Sequence, residues 1–386
     1  MDKTIDPAPD YRLLHVASFM ALFCVGAYAG AFGPALPFIA DDAGVSLDTA
    51  GLMLTTLFLG SITMSALVAV RLHAVDARLL ILAGVASAAL GSLGIGFAPA
   101  WALILASAAV LGAGDGLMVA ATHILISRTY DDVPSGINRL NLFFGFGAVA
   151  GPLWAGAMLA ATAERGLVYA GVAVALAATG AVMALADVRV HRAIANERAG
   201  GFMLNRIVLV MGTVLFFYVG AEFGLGAWVS SYTRETAGAG VMAGAALSAG
   251  YWLALTLGRI VSEVYFARGR DALAILTVSI VGAGVASLVL ALASGSIAVS
   301  AAAAFAAGLC LGPIWPSTVA IAAGGSSAEA TATTVTLGNA GGLAIPWLQG
   351  KLLVGAGPGQ GVALTAALCA LMLAILAGFL RSLRSA

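Results

Sequence analysis

Twelve long apolar runs, separated by short polar breaks, organise this sequence: residues 13–39, 49–70, 79–98, 101–126, 139–161, 166–187, 207–230, 243–266, 272–293, 297–323, 333–354 and 361–380. Each is close to or above the roughly 20 residues that carry an α-helix across a hydrocarbon core. The apolar residues form continuous runs, with neither the alternation of a half-buried strand nor the single stripe of a soluble helix. The pattern predicts an all-α membrane protein with twelve transmembrane helices. The run from Leu13 to Ala40 is too long for the core of a signal peptide, and Asp2, Asp6 and Asp10 stand before it beside Lys3 and Arg12. It reads as the first membrane helix.

Composition agrees. Hydrophobic residues make up 61% of the chain and charged residues 9%, against about 25% charged in soluble chains. So little charge cannot clothe a water-facing surface. The formal net charge is zero, which offers no field to nucleic acid or another polyanion. Cys24, Cys310 and Cys369 all lie in apolar runs, without metal-ligand or disulfide spacing. No HExxH, histidine box or Ser/His/Asp set falls at membrane depth. A membrane-embedded enzyme is therefore not expected, nor a cofactor or metal. The expected partners are the lipid bilayer, a small-molecule substrate and a coupling ion, with the chain acting as a monomer.

Basic residues orient the spans. Lys3, Arg12, Arg71, Arg78, Arg128, Arg139, Arg189, Arg192, Arg198, Arg206, Arg268, Arg270, Arg381 and Arg384 fall on one side. Arg165, Arg234 and Lys351 fall on the other, with Asp41, Asp42, Asp48 and Glu164. The positive-inside rule then places both termini in the cytoplasm and the protein in the inner (cytoplasmic) membrane, multi-pass. The longest polar stretch, 188–206, sits at mid-chain. It divides a first six-helix bundle, 1–187, from a second, 207–386.

A shift of 194 residues superimposes glycines and prolines of the two halves. Gly26 and Gly30 fall on Gly220 and Gly224, Gly114 on Gly308, and Pro152 and Gly156 on Pro346 and Gly350. Two parallel repeats of six helices, related by a pseudo-two-fold axis, imply a transporter with its binding site at the midplane between them. The small-xxx-small pairs Gly26/Gly30, Gly112/Gly116, Gly147/Gly151, Gly220/Gly224 and Gly308/Gly312 suit close helix packing; as a set they suggest surfaces that also slide or rock.

Charges within the spans stand out, because each costs about 2.5–3.5 kcal/mol at a helix centre. Asp115 lies near the middle of the fourth span and Glu222 a few residues outside the middle of the seventh. A proton on either would remove most of that cost, so both are candidate ion-coupling groups. The bland alternative for Asp115 is a structural carboxylate bonded to a hydroxyl of the first or second span. Arg259 and Glu263, one turn apart at the end of the eighth span, share a face and read as a structural or gating pair; Arg139 reads as a gating residue at the start of the fifth. His123 reads as a packed histidine. Pro313 and Pro316 around Trp315 should interrupt the tenth span where a protein-lined or wet cavity satisfies the freed carbonyls. Trp315 could stack on a sugar ring or apolar ligand there, and Tyr28, Tyr218, Asn339 and Gln349 could hydrogen-bond substrate hydroxyls.

The strings GAFGPALPFIA (30–40), RLNLFFGFGAVAGPL (139–153), YVGAEFGLGAW (218–228) and GLCLGPIWP (308–316) resemble the sugar-transporting branch of the major facilitator superfamily, which holds fucose:proton symporters and sodium-dependent glucose transporters. The resemblance implies that the fourth and seventh helices, with Asp115 and Glu222, line a central cavity, one from each half, and it favours Trp315 as a substrate contact; Tyr28, Tyr218 and Asn339 complete the candidate substrate-binding set. Two departures stand out. The stretch VRLHAVDARL (70–79) keeps only scattered charges of the superfamily's loop motif. Val119 and His123 occupy the positions of the acidic residue and Asn in the fucose-type fourth helix, so fucose-type coupling does not transfer. GAVAGPLWAG (147–156) also approaches a string of drug:proton antiporters. The expected function is proton-coupled transport of a sugar or related polar solute by alternating access. Efflux of an amphipathic compound against protons, or sodium-coupled symport, is the alternative.

Overall fold

The computed structural model describes residues 10–72, 75–186, 205–293, 295–324 and 328–384. In hydrocarbon every backbone N–H and C=O must find a partner within the span, which leaves the helix as the only form open to such runs. The described residues accordingly form helices and no strands. They run as α1 (Arg12–Ala43), α2 (Leu47–Arg71, ending in a π-helical turn at Val68–Leu72), α3 (Ala77–Phe97), α4 (Trp101–Thr129), α5 (Val133–Thr162), α6 (Arg165–Leu185), α7 (Arg206–Ala237), α8 (Val241–Ala267), α9 (Ala272–Leu292), α10 (Ile297–Gly324) and α12 (Pro358–Arg384). Between the last two, α11 consists of Ala328–Asn339 and Gly341–Gly355, joined through Ala340, whose backbone stays in the right-handed helical region. The expected interruption of the tenth span is present. Helix α10 breaks between Leu311 and Ile314, where Pro313 has no N–H to donate. Of the linker expected at 188–206, only 205–206 lie within the described residues.

Local chemistry sets the helix ends. Asp76, Asp132, Asn205 and Asp271 cap α3, α5, α7 and α9 by accepting from backbone N–H groups of the first turn. Helices α1 and α7 end in the same way, on Gly44 (φ 64°) and Gly238 (φ 63°) in the left-handed conformation that glycine adopts without penalty. Those two caps are themselves 194 residues apart, so the repeat extends to how the helices stop.

Helices α1–α6 and α7–α12 form two six-helix bundles with matching contacts. Glycine makes both compact. A Cβ at Gly147 would overlap the Phe23 carbonyl, and one at Gly341 the Phe216 carbonyl, so α5 lies on α1 as α11 lies on α7. Gly112 and Gly116 sit on the carbonyls of Leu57 and Ser61, as Gly308 and Gly312 sit on those of Tyr251 and Leu255. This corrects the alignment of Gly114 with Gly308. The spatial equivalent of Gly308 is Gly112, because α10 has slipped by two residues relative to α4.

The bundles meet unevenly. Helices α5 and α8 run antiparallel along their whole length, from Asn138 beside Glu263, through Gly145 against Thr256, to Gly156 against Ala245. Helices α1 and α7, and α2 and α11, join mainly toward the end remote from the chain termini. There Lys351 pairs with Asp48, the Arg234 guanidinium lies 5.6 Å from the Phe38 ring centre, and Thr55 donates to the Leu343 carbonyl at 2.6 Å. Trp228 donates to the Pro346 carbonyl at 2.7 Å and fills the space that Gly51 leaves. Neither α4 nor α10 packs against the opposite bundle. Among the described residues, the contacts between bundles thus gather at the remote end, and at the end that carries the termini the α5–α8 seam, with Asn138 bonded to Glu263, joins them.

Glycine packing gives a direct test. Gly147→Val should cost on the order of 1–3 kcal/mol through forced separation of α1 and α5. Gly378→Ala, in open space, should stay within about 0.5 kcal/mol of the parent. Thermal unfolding of both variants in detergent measures the difference.

Candidate functional site

Asp115 stands at the midpoint of α4, flanked by Gly112, Gly114 and Gly116, which draw α2 and α3 against it. Two hydroxyls answer its carboxylate. Tyr28 of α1 donates to Oδ1 at 2.5 Å and Ser61 of α2 to Oδ2 at 2.5 Å. No cationic side chain pairs with it among the described residues. A hydroxyl of the first or second span was the anticipated structural partner; here one from each is present. Asp115 opens onto a cavity of about 40 Å³ whose other walls include Phe32, Leu57, Phe58, Phe144 and Phe223. Helices α1, α2, α4 and α5 provide most of the wall, and Phe223 and Ala227 of α7 close it from the second bundle.

Glu222 occupies the midpoint of α7, because that helix continues to Ala237, beyond the expected end at 230. Its side chain is buried, and Arg259 Nη2 donates to Oε1 at 2.7 Å. The same Nη2 lies 3.4 Å from the Tyr218 hydroxyl, and the Tyr251 hydroxyl donates to the Glu222 carbonyl at 2.9 Å. The expected pairing of Arg259 with Glu263 is corrected here. Arg259 turns inward to Glu222, and Glu263 instead accepts from Asn138 of α5 at 2.6 Å. A fully buried carboxylate outbids a half-buried one for a guanidinium, since its unpaired charge would cost more. The Nε of Arg259 is buried without a partner.

The sites face each other through aromatic rings. The Arg259 guanidinium lies 5.8 Å from the centre of the Phe144 ring, which also lines the Asp115 cavity. Phe223 packs edge-on against Phe58 and Trp252, at 4.9 and 5.9 Å between ring centres. Under the 194-residue shift Tyr28 corresponds to Glu222 and Ser65 to Arg259. The first bundle has hydroxyls where the second has ions.

Of the residues anticipated from sequence, Tyr28 and Asp115 meet, as do Tyr218, Glu222 and Arg259. Trp315 stands outside the cavity, its ring 6.3 Å from that of Tyr218. Asn339 is half-buried at the end of the first segment of α11. Arg139 lies over the Tyr130 ring at 5.7 Å, at the end bearing the termini. His123 bonds the Val119 carbonyl at 2.7 Å within its own helix. Gln349 is buried against Gly224 with neither amide atom paired. Ser61, Asn138, Tyr251, Phe58, Phe144 and Phe223 join these sites without standing out in the sequence. A hydroxyl or a phenyl ring in an apolar span carries no signal until its neighbours are known.

The sequence profile of the Major Facilitator Superfamily matches residues 18–346. The chain belongs to the major facilitator superfamily. As a member it is a multi-pass membrane transporter rather than an enzyme. A curated relative, Bypass of stop codon protein 6 of Saccharomyces cerevisiae, is 30% identical over 162 residues, which cover 38% of this chain and 32% of that protein. The chain therefore matches about a third of the yeast protein's length. Among solved structures, a bacterial homolog of the human lysosomal transporter Spinster, described as inward-facing and unoccupied, gives a TM-score of 0.76 at 14% identity, covering 96% of each chain. A POT family transporter in complex with 5-aminolevulinic acid gives 0.78 at 13% identity, covering 98% of this chain and 97% of that one. Both likenesses establish the fold.

The ion pair of this major facilitator protein is testable apart from transport. Arg259→Met leaves Glu222 buried and unpaired, and should cost about 3–5 kcal/mol in thermal unfolding. Adding Glu222→Gln should restore most of that loss, because the stranded charge is gone.

Proposed function

We propose that this transporter moves a small solute by alternating access, coupled to protons carried by Glu222 and Asp115. One observation carries the reading: both carboxylates sit at helix midpoints, one in each bundle, beside the parting between them. Protonation of Glu222 removes the charge that holds Arg259, and protonation of Asp115 removes the charge that its two hydroxyls serve. Rocking residues 1–187 against 207–386 changes the water around both groups, which links their protons to the side that is open. Sodium is the competing ion.

Sugars and polyols are the first substrates to try, on the strength of the resemblance to the fucose and glucose branch. A second reading, exchange of an amphipathic compound for protons, is favoured by the aromatic lining of the cavity. Tyr218, Trp315 and Asn339 join the substrate surface in this proposal, with Arg139, Arg259 and Glu263 at the gate. The arginine-rich end carries both termini, which the positive-inside rule places in the cytoplasm of an inner-membrane monomer.

In proteoliposomes enclosing a pH-sensitive dye, a transported solute should move protons with it. Glu222→Gln should abolish uphill transport while sparing downhill exchange, because Gln mimics the protonated acid. Transport that ignores pH between about 5 and 8 and demands sodium would reassign the coupling. For orientation, reporter fusions at Arg198 and the C-terminus should behave alike, and fusions at Asp42 or Arg234 oppositely. An odd number of crossings would refute the arrangement.

A further inference from the structure

We infer that the cavity beside Asp115 receives a cationic amine or quaternary ammonium group carried on an apolar molecule. The inference rests on the transporter reading above and takes the second of its two substrate readings, the amphipathic compound, over the sugar. The walls decide the class. Phe32, Phe58, Phe144, Phe223 and Tyr28 supply rings, aliphatic side chains fill the gaps, and Asp115 is the one charged group. Aromatic faces attract a cation that has shed its water, and a carboxylate supplies the counter-charge. Asp115 accepts two hydroxyl bonds, out of about four lone-pair positions on an ionised carboxylate. Acceptor capacity remains for an N–H or an ammonium charge.

A sugar is poorly served by the same walls. The Tyr28 proton is committed to Asp115, so a polyol would bury several hydroxyls against phenyl rings without partners, at a cost for each. An anion would meet the Asp115 charge with no cation on the wall. The space is about 40 Å³, against roughly 10–15 Å³ by this measure for one water. It holds an ammonium head, and the apolar body lies outside it.

Proton and cation then compete for one carboxylate. The helices packed on α4 present few other titrating groups to it. Cys24 turns to Thr179, His15 to Thr129, Arg78 to the carbonyls of Met183 and Ala184, and His123 of α4 itself to Val119. Arg12, Arg71, Arg128 and Arg139 sit at the end bearing the termini, and Asp41 and Asp42 at the remote end. Across Phe144 the nearest charges, Glu222 and Arg259, neutralise each other.

The test uses the full chain in lipid nanodiscs, with benzyltrimethylammonium as probe and benzyl alcohol, benzoate and glucose as comparisons. The ammonium should bind and raise the unfolding temperature. Its affinity should fall toward about tenfold per pH unit once protonation of Asp115 dominates. Asp115→Asn should weaken it at least about tenfold, and Asp115→Glu should keep the preference for cation over neutral analogue. Phe58→Leu should weaken the ammonium about threefold to thirtyfold while leaving benzyl alcohol within about twofold. If the Asn variant does not fold, the pH competition and Phe58→Leu decide. Equal binding of ammonium and benzyl alcohol, or undiminished binding to Asp115→Asn, overturns the inference. Proton-linked glucose uptake without ammonium binding overturns it too and leaves the transporter reading standing. Ammonium binding without proton-linked flux supports the inference and overturns the coupling reading.

Discussion

A charge inside hydrocarbon has to be matched on the spot, because no water is there to do it. This chain meets that demand twice, in two ways. Asp115 is met by the hydroxyls of Tyr28 and Ser61, and Glu222 by the guanidinium of Arg259. The first arrangement leaves a carboxylate with two hydroxyl donors and no cationic partner among the described residues. The second is a closed pair, with guanidinium and carboxylate 2.7 Å apart. The two bundles share a fold and a repeat, yet they offer a ligand different chemistry.

Close backbone packing makes both arrangements reachable. Ser61 reaches Asp115 because Gly112 and Gly116 let α4 rest on the carbonyls of Leu57 and Ser61. Tyr251 reaches the Glu222 carbonyl from α8, which Gly308 and Gly312 hold against α10. Between helices in lipid there is little hydrophobic force to collect, so close contact and polar pairs supply the cohesion. The contact between bundles is lighter. It is concentrated at the remote end in the Asp48–Lys351 pair, the Arg234–Phe38 contact and the packing of Trp228 on Gly51, and along the α5–α8 seam. A few polar contacts at one end and a single seam along α5 and α8, with no contact between α4 and α10 among the described residues, suit a molecule whose halves rock.

Much of this was legible in the chain itself. Twelve apolar runs, an even count that returns both ends to one side, a glycine repeat at 194 residues and two lone carboxylates at helix centres are one-dimensional signals. They are strong because hydrocarbon penalises any exception to them. The same penalty made the proline break near Trp315 readable. Pairings were another matter. Arg259 and Glu263 lie one turn apart and looked like partners, yet a more deeply buried acid on α7 holds the arginine. Gly114 looked like the equivalent of Gly308 until the carbonyls beneath them showed Gly112 in that place.

Sequence alone determined the solvent, the number and course of the helices, the two-fold repeat and which carboxylates are costly. Each of these depends on the polarity of a segment, and polarity is written locally. Tertiary structure decided which hydroxyls answer Asp115, which acid holds Arg259, that phenyl rings from both bundles wall the cavity, and at which end the contacts between bundles gather. Those outcomes depend on distances between helices far apart in the chain, where a slip of one or two residues changes which side chains face each other.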